Sequence, residues 1–365
     1  MVIADIIRYL ETLAPPVLQE GYDNAGLITG NAGWDCTGII CSLDVTEAVI
    51  QEAIDNRYNL IVAHHPIVFG GLKKITGKNY VERIVISAIK NDIAIYAIHT
   101  NLDNVITGVN GKIAAMLGLQ QVQVLQPKPG QLQKLVTFVP LQQAGAVRQA
   151  IFNAGGGHIS HYSECSFNTD GIGTFKAGEG TDAHVGSIGQ QHQEPETRVE
   201  IIFPAWLQQA VIKAMKTAHP YEEVAYDIIP LLNEHNQTGS GLVGNLPEPM
   251  PEAEFLQLVK KLFQVPVIRH TALLQKKIQR VALCGGAGSF LINNGLRSGA
   301  DIFITGDMKY HEFFDADNRL IIADIGHYES EQFTINLLAD GLAEKFTTFA
   351  VLKTKANTNP VQYFY

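Results

Sequence analysis

The chain has 365 residues, of which 46% are hydrophobic and 17% charged, so it is globular and not disordered. At roughly 150 residues per domain the length predicts two or three domains. The 27 Lys and Arg against 36 Asp and Glu leave a formal net charge of −9, and the longest run of basic residues is two, which argues against a protein that grips nucleic acid through phosphate contacts.

Cys36, Cys41, Cys165 and Cys284 form no C-x-x-C pair, so a reducing cytoplasm is expected and a disulfide framework is not. Near the start, Ile3, Ile6, Ile7, Leu10 and Leu13 recur at helical spacing and predict an amphipathic helix, not a secretory leader. No apolar run approaches the roughly 18 residues needed to span a bilayer. GIICSLD (38–44) reads as a strand, and Asp44 with Glu47 reads as N-cap and capping box of the helix TEAVIQEAI. NLIVAHH (59–65) and DIAIYAIH (92–99) are further strands, with a helix around VERIVISAIK between them.

The middle of the chain changes rhythm after the turn-rich PKPGQ (127–131). LVTFVP, a helix near AGAVRQAIFNA, a polar Gly-rich stretch, RVEIIFP, the helix WLQQAVIKAMKTA and YEEVAYDIIPL follow in β-α-(β hairpin)-β-α-β order. That is the ferredoxin-like arrangement, with 177–196 expected as an exposed loop. Past NQTGSGLVGNLPEPMPEAE the first rhythm returns as IQRVALCG (278–285), ADIFITGD (300–307), LIIADIGH (320–327) and a helix from about Ser330. Continuous apolar strands alternating with helices predict an α/β fold around a largely parallel sheet covered on both faces. The expected division is an α/β domain of residues 1–125 plus 246–365, interrupted by an α+β insert of residues 126–245.

Polar residues in otherwise apolar company mark the chemistry. Asp44, His64 and His65, His99 with Asp103, Asp307 and His327 all fall at or just past carboxyl ends of predicted strands, where open α/β sheets bind ligands. A lone histidine there is usually a satisfied core or surface residue; four His and several Asp converging on one sheet edge are hard to assign to packing. His327 and Glu331 are four residues apart and share a helical face if the helix has begun by then, whereas Glu329 points elsewhere. Adjacent His64 and His65 at a strand end should face opposite sides, which suits two ions better than one. Thiolate-free, His- and carboxylate-rich ligation fits Zn²⁺, Mn²⁺ or Fe²⁺.

The motifs HHP (64–66), HTNLD (99–103), TGDMKYH (305–311) and GHYESE (326–331), with YDNAGLITG (22–30), resemble the dinuclear metal-centre family of YbgI and YqfO. Its members carry the label GTP cyclohydrolase 1 type 2 homolog, or Nif-three-like. The resemblance covers both outer segments, and the insert is similar to the PII/CutA-like domain of the longer members. It implies two divalent ions, with His65 and Asp103 on one, His64 and His327 on the other, and Glu331 as the bridge. It also implies a toroidal homohexamer. The family commonly has Trp before Asp-Asn, where this chain has Tyr22. His99, Asp44 and Asp307 are the candidates for proton transfer, with a structural hydrogen-bonding role for His99 equally open.

CGGAGS (284–289) after a strand fits either a phosphate-cradling loop or a tight turn, and it lacks the Lys-Ser/Thr of a P-loop. Cys284 reads as a buried small hydrophobe, His158, His161, His184 and His192 as solvated loop residues, and His311 as either lining the site or lying on a helix surface. Two functional classes follow. One is a metal-dependent hydrolase of a nucleotide or phosphate-bearing small molecule; the other is a non-enzymatic metal-binding regulatory or assembly factor with a ligand-sensing insert. The proton-transfer candidates beside the ligands favour the first. No membrane partner is expected.

Overall fold

A computed structural model describes residues 1–364. It divides into two compact units, Met1–Pro127 with Gln237–Tyr365, and Lys128–Asn236.

The first unit holds two sheets where the sequence suggested one. The first sheet has the order Gly26–Thr29, Ala94–Ala97, Leu60–Ala63, Ile39–Ser42, Val351–Lys353. All its pairings are parallel except the outer Gly26–Thr29 strand. Its three central strands are buried along their whole length, as a parallel sheet covered on both faces requires. Ile40, Ile61 and Ile95 pack with Val49 and Ile50 of the helix Glu47–Asn56 and Ile84 of the helix Tyr80–Lys90.

The second sheet runs Arg269–His270, Ile321–Asp324, Ile302–Gly306, Lys277–Ala287, Gly239–Pro251, Gln120–Pro127. Only the two pairings made by the Ile302–Gly306 strand are parallel; the other three are antiparallel. Phe303, Ile322, Ala282 and Leu291 form its core. Two sheets look like one in the sequence because an apolar strand does not declare which neighbour it joins.

Two local expectations give way. Thr46, not Asp44, caps the helix Glu47–Asn56, its hydroxyl accepting from Val49 N at 3.4 Å. The final helical region opens at His327 rather than Ser330, as a five-residue turn His327–Glu331 followed by the helix Thr334–Lys345.

The second unit is one antiparallel sheet in the order Phe167–Lys176, Gln191–Pro204, Leu132–Pro140, Tyr226–Pro230, with the helices Ala144–Asn153 and Gln208–Ala218. Leu135, Val139, Ile201 and Phe203 pack against Val147, Ile151, Val211 and Met215. The polar stretch expected as a loop from 177 to 196 is shorter. Gln191–Glu196 continues the second strand of a long hairpin, because cross-strand pairing to Gly171–Lys176 satisfies its backbone despite the polar side chains. The first unit's strands pair Gly239 with Pro127, so the chain leaves and re-enters that unit at register partners.

Among the described residues, no helix is long and apolar enough to cross a membrane.

Candidate metal centre

Five donors expected as ligands come together, and both sheets of the first unit supply them. His64 and His65 follow the Leu60–Ala63 strand, and Asp103 ends the short helix Thr100–Asp103. His327 and Glu331 come from the turn that follows the Ile321–Asp324 strand of the other sheet. Glu331 Oε2 is the focus, lying 3.0 Å from His65 Nε2, 3.1 Å from His327 Nε2 and 3.9 Å from His64 Nε2. The i, i+4 spacing therefore does place His327 and Glu331 on one face. His64 and His65 do not point to opposite sides. The strand has ended at Ala63, so pleat alternation no longer applies, and their rings lie 4.9 Å apart, centroid to centroid, facing one cluster.

Donor atoms within 4.8 Å of one another form three trios: His64–Asp103–Glu331, His65–His327–Glu331 and His64–His65–His99. Glu331 belongs to the first two. These groupings put His64 with Asp103 and His65 with His327, the reverse of the pairing that the resemblance implies.

Each histidine is oriented from behind. His64 Nδ1 donates to the Ile98 carbonyl at 2.8 Å, His65 Nδ1 bonds Asp44 Oδ1 at 2.7 Å, and His327 Nδ1 bonds Asp307 Oδ2 at 2.7 Å. A partner on Nδ1 fixes the tautomer that presents the Nε2 lone pair, the usual support of a ligating histidine. Asp44 and Asp307 thus bond the Nδ1 atoms of His65 and His327, an arrangement that holds those rings in place. Asp44 is held in turn by the Thr358 hydroxyl at 3.0 Å.

His99 Nδ1 bonds Asp23 Oδ1 at 2.7 Å, and the other oxygen of Asp23 accepts from Thr100 N at 3.1 Å and from the Thr100 hydroxyl. Asp23 lies in the YDNAG motif, yet nothing in the sequence says which histidine it serves.

The remaining support also escapes sequence reasoning. Gly285 N donates to Asn110 Oδ1, Gly286 N to Ser330 Oγ and Gly288 N to Thr305 Oγ1, so CGGAGS spends its three glycine amides on neighbouring side chains. Those three N–H groups are engaged and favour the tight-turn reading of the segment. The glycines serve close approach: Gly286 has φ 63°, and a Cβ built there would collide with Glu331 Oε1. Cys284 is buried as expected. His311 is exposed beside Tyr310 and Phe314, outside the cluster. The expectation that Glu329 points elsewhere holds, but it is buried, accepting from Asn359 Nδ2 at 3.1 Å and Tyr363 OH at 3.2 Å.

The charges in the cluster are strongly perturbed. Complete burial drives His64 down to about 3 against the pull of Glu331, so its ring is neutral. Burial works against a charged His65 too, but hydrogen bonds to Asp44 and Glu331 outweigh it and raise the ring to about 9. His327 follows the same logic, with Asp307 and Glu331 lifting it to about 11 against burial. Burial and the Glu331 charge push the Asp103 carboxyl well above its ordinary range, while Glu331, despite burial, is held well below it by the bonds from His327 and His65. Protons on Asp103, His65 and His327 thus occupy lone pairs that a cation would use.

Two buried polar atoms, His64 Nε2 and Asp103 Oδ1, have no hydrogen-bond partner among the described residues and lie 3.6 Å apart. Two donors on one ion with bonds of about 2.0–2.2 Å sit roughly 3.0–3.5 Å apart, so one divalent ion answers both orphans. Imidazole nitrogens and carboxylate oxygens without a thiolate suit such an ion. The residues present fit a metal.

An α/β unit with a buried histidine–carboxylate cluster built from two sheets defines a protein suited to hold divalent metal. The family model described as Duf34/NIF3 (NGG1p interacting factor 3) matches residues 1–360, and the chain belongs to that family. Among similar proteins, the "GTP cyclohydrolase 1 type 2 homolog" of Halalkalibacterium halodurans is 43% identical over 88% of this chain and 87% of its own. The protein of the same name from Bacillus subtilis is 36% identical over 98% and 97%. A solved Bacillus cereus protein related to NIF3 superposes with a TM-score of 0.89 at 40% identity, covering 100% of this chain and 99% of that one.

Proposed function

We propose that the chain is a dinuclear metal-dependent hydrolase of a nucleotide or another phosphate-bearing small molecule. The observation that carries this reading is the Glu331 carboxylate, common to two trios, one of which also holds the orphaned His64 Nε2 and Asp103 Oδ1. His64, Asp103 and Glu331 would hold one ion, and His65, His327 and Glu331 the other. Two such ions supply Lewis acidity and acidify water near neutral pH.

The chain's own residues do the rest. Asp44 and Asp307 keep the Nδ1 protons of His65 and His327 in place, so both rings keep their lone pairs on the cluster. His99, fixed by Asp23, stands beside His64 and His65 at ring-centroid distances of 5.3 and 5.4 Å and is the group placed to take up and pass on a proton.

The names of the relatives point to GTP as a first substrate to try. The strand order of the inserted unit, with a helix after its first and third strands, supports a ferredoxin-like, PII/CutA-like reading of it. A homohexamer follows if twofold contacts of the α/β units combine with threefold contacts of the inserts.

The test is to measure metal content on protein purified without added metal or chelator, and then turnover of GTP, other nucleotides and phosphoesters with Zn²⁺, Mn²⁺ and Fe²⁺. Two ions per chain and a turnover abolished in Glu331→Gln support the proposal. Two ions without turnover of any substrate would favour the non-enzymatic metal-handling reading.

A further inference from the structure

The inserted unit carries a half-open cavity of about 670 Å³ between its long hairpin and the segment around Tyr221. That volume lies in the usual range of small-molecule sites, about 300–1,000 Å³. We infer that this cavity binds a small organic ammonium ion, a primary amine carried on an apolar body.

Glu196 lines the cavity and is only 9% exposed. Its Oε1 accepts from Tyr221 OH at 2.8 Å. Its Oε2 lies against bare hairpin backbone, since a Cβ built at Gly173 would collide with it. A buried carboxylate is ordinarily matched by a cation. Among the described residues none is in place: Arg198 pairs with Glu200 at 3.0 Å instead. His219 is also excluded as the counter-charge. Its Nε2 donates to the Phe138 carbonyl at 3.0 Å while its Nδ1 accepts from Tyr221 N at 3.1 Å, a pattern that only the neutral ring can make.

The walls indicate the rest of the ligand. Phe175 and His184 flank the Tyr221 ring at centroid distances of 6.2 and 6.1 Å, giving an aromatic surround that favours an apolar body and attracts a cation through ring faces. Asp170, Glu222 and Glu223 add negative charge to the same lining and outnumber Lys176 and Arg198. An anion would be repelled there, and a neutral alcohol would leave the Glu196 charge without its counterpart.

Calorimetric titration of the full-length protein with 2-phenylethylammonium, 2-phenylethanol and phenylacetate tests this. The amine should bind at least about tenfold more tightly than the alcohol, the difference expected of a hydrogen bond to a charged group, and phenylacetate should not bind. Glu196→Gln should abolish the preference for the amine. Ala183→Phe, which fills the cavity from its rim and leaves the carboxylate intact, should weaken amine binding by about tenfold or more and keeps the test open if the first variant does not fold. Equal affinity for amine and alcohol, or no amine binding up to about 10 mM, overturns the inference.

Discussion

Replacing Gly286 with alanine separates backbone strain from damage to the candidate metal centre. Gly286 adopts φ 63°, and an added methyl would collide with Glu331 Oε1 while lying 3.2 Å from Glu331 Cδ and His327 Cε1. A left-handed conformation costs an L-residue about 1–2 kcal/mol, and ordinary van der Waals contact requires the carboxylate to retreat by roughly 1 Å. Such a shift of a ligand resembles loss of a supporting partner, which lowers metal affinity by about 10–100-fold, or roughly 1.4–2.7 kcal/mol. Gly118 is the internal control, since at φ 67° it carries the same strain with nothing within 4 Å of the added carbon. Competition against a chromogenic chelator, with thermal unfolding measured in parallel, reads both terms. Both variants should lose similar stability when stripped of metal, and only Gly286→Ala should lose affinity. A folded Gly286→Ala protein that binds metal as tightly as Gly118→Ala would refute the placement of Glu331.

His65→Ala with His327→Ala should remove one ion and spare most of the other, whereas His64→Ala with His327→Ala should damage both sites; equal metal loss in the two double variants would contradict the trios. Glu331→Gln should empty the centre as measured by metal content, while Glu329→Gln should keep its metal and instead speed proteolysis of the 357–364 segment that Glu329 anchors through Asn359 and Tyr363. In metal-stripped protein, burial disfavours charge on His65, but Asp44 and Glu331 hold its folded-state value at about 9, above the ordinary 6.5. That contribution is complete below pH 6.5 and lost as pH rises through 9, so the stripped protein should lose Tm across that window, and Asp44→Asn should flatten the loss. Joining Pro127 to Gly239 through a two-residue Asn-Gly turn should yield a folded, metal-binding α/β unit, because those residues are register partners of antiparallel strands; circular dichroism and metal content check it.

The strand ends were legible because a buried parallel strand is a continuous apolar run, and a histidine or aspartate that interrupts it needs a reason. His64, His65, Asp103, His327 and Glu331 stand out on that ground. What surrounds them does not. Asp44 looked like a helix cap because Asp followed three residues later by Glu has that signature; the choice of Thr46 depends on where the helix turns, and the choice of His65 as Asp44's partner on tertiary approach. Asp23 reaches His99 across 76 residues, and Thr358 reaches Asp44 across 314, separations that local patterning cannot encode. Gly286 reads as a turn or phosphate residue until Glu331 is seen packed on it. The division into two sheets was hidden because pairing partners are set by topology, not by composition.

The donors of the cluster come from both ends of one long loop: His65 and Glu331 are 266 residues apart. An ion held by both is a reversible cross-link, and in the loop-entropy model a permanent one of that span would be worth about 5–6 kcal/mol against unfolding. It also sets an order of events in synthesis. A ribosome-bound chain that has released His64, His65 and Asp103 still lacks His327 and Glu331, since the shared carboxylate is made 266 residues after His65. Metal capture by the whole cluster would therefore report that synthesis has passed residue 331 and that both sheets have formed, a checkpoint that a centre built from neighbouring residues would not provide.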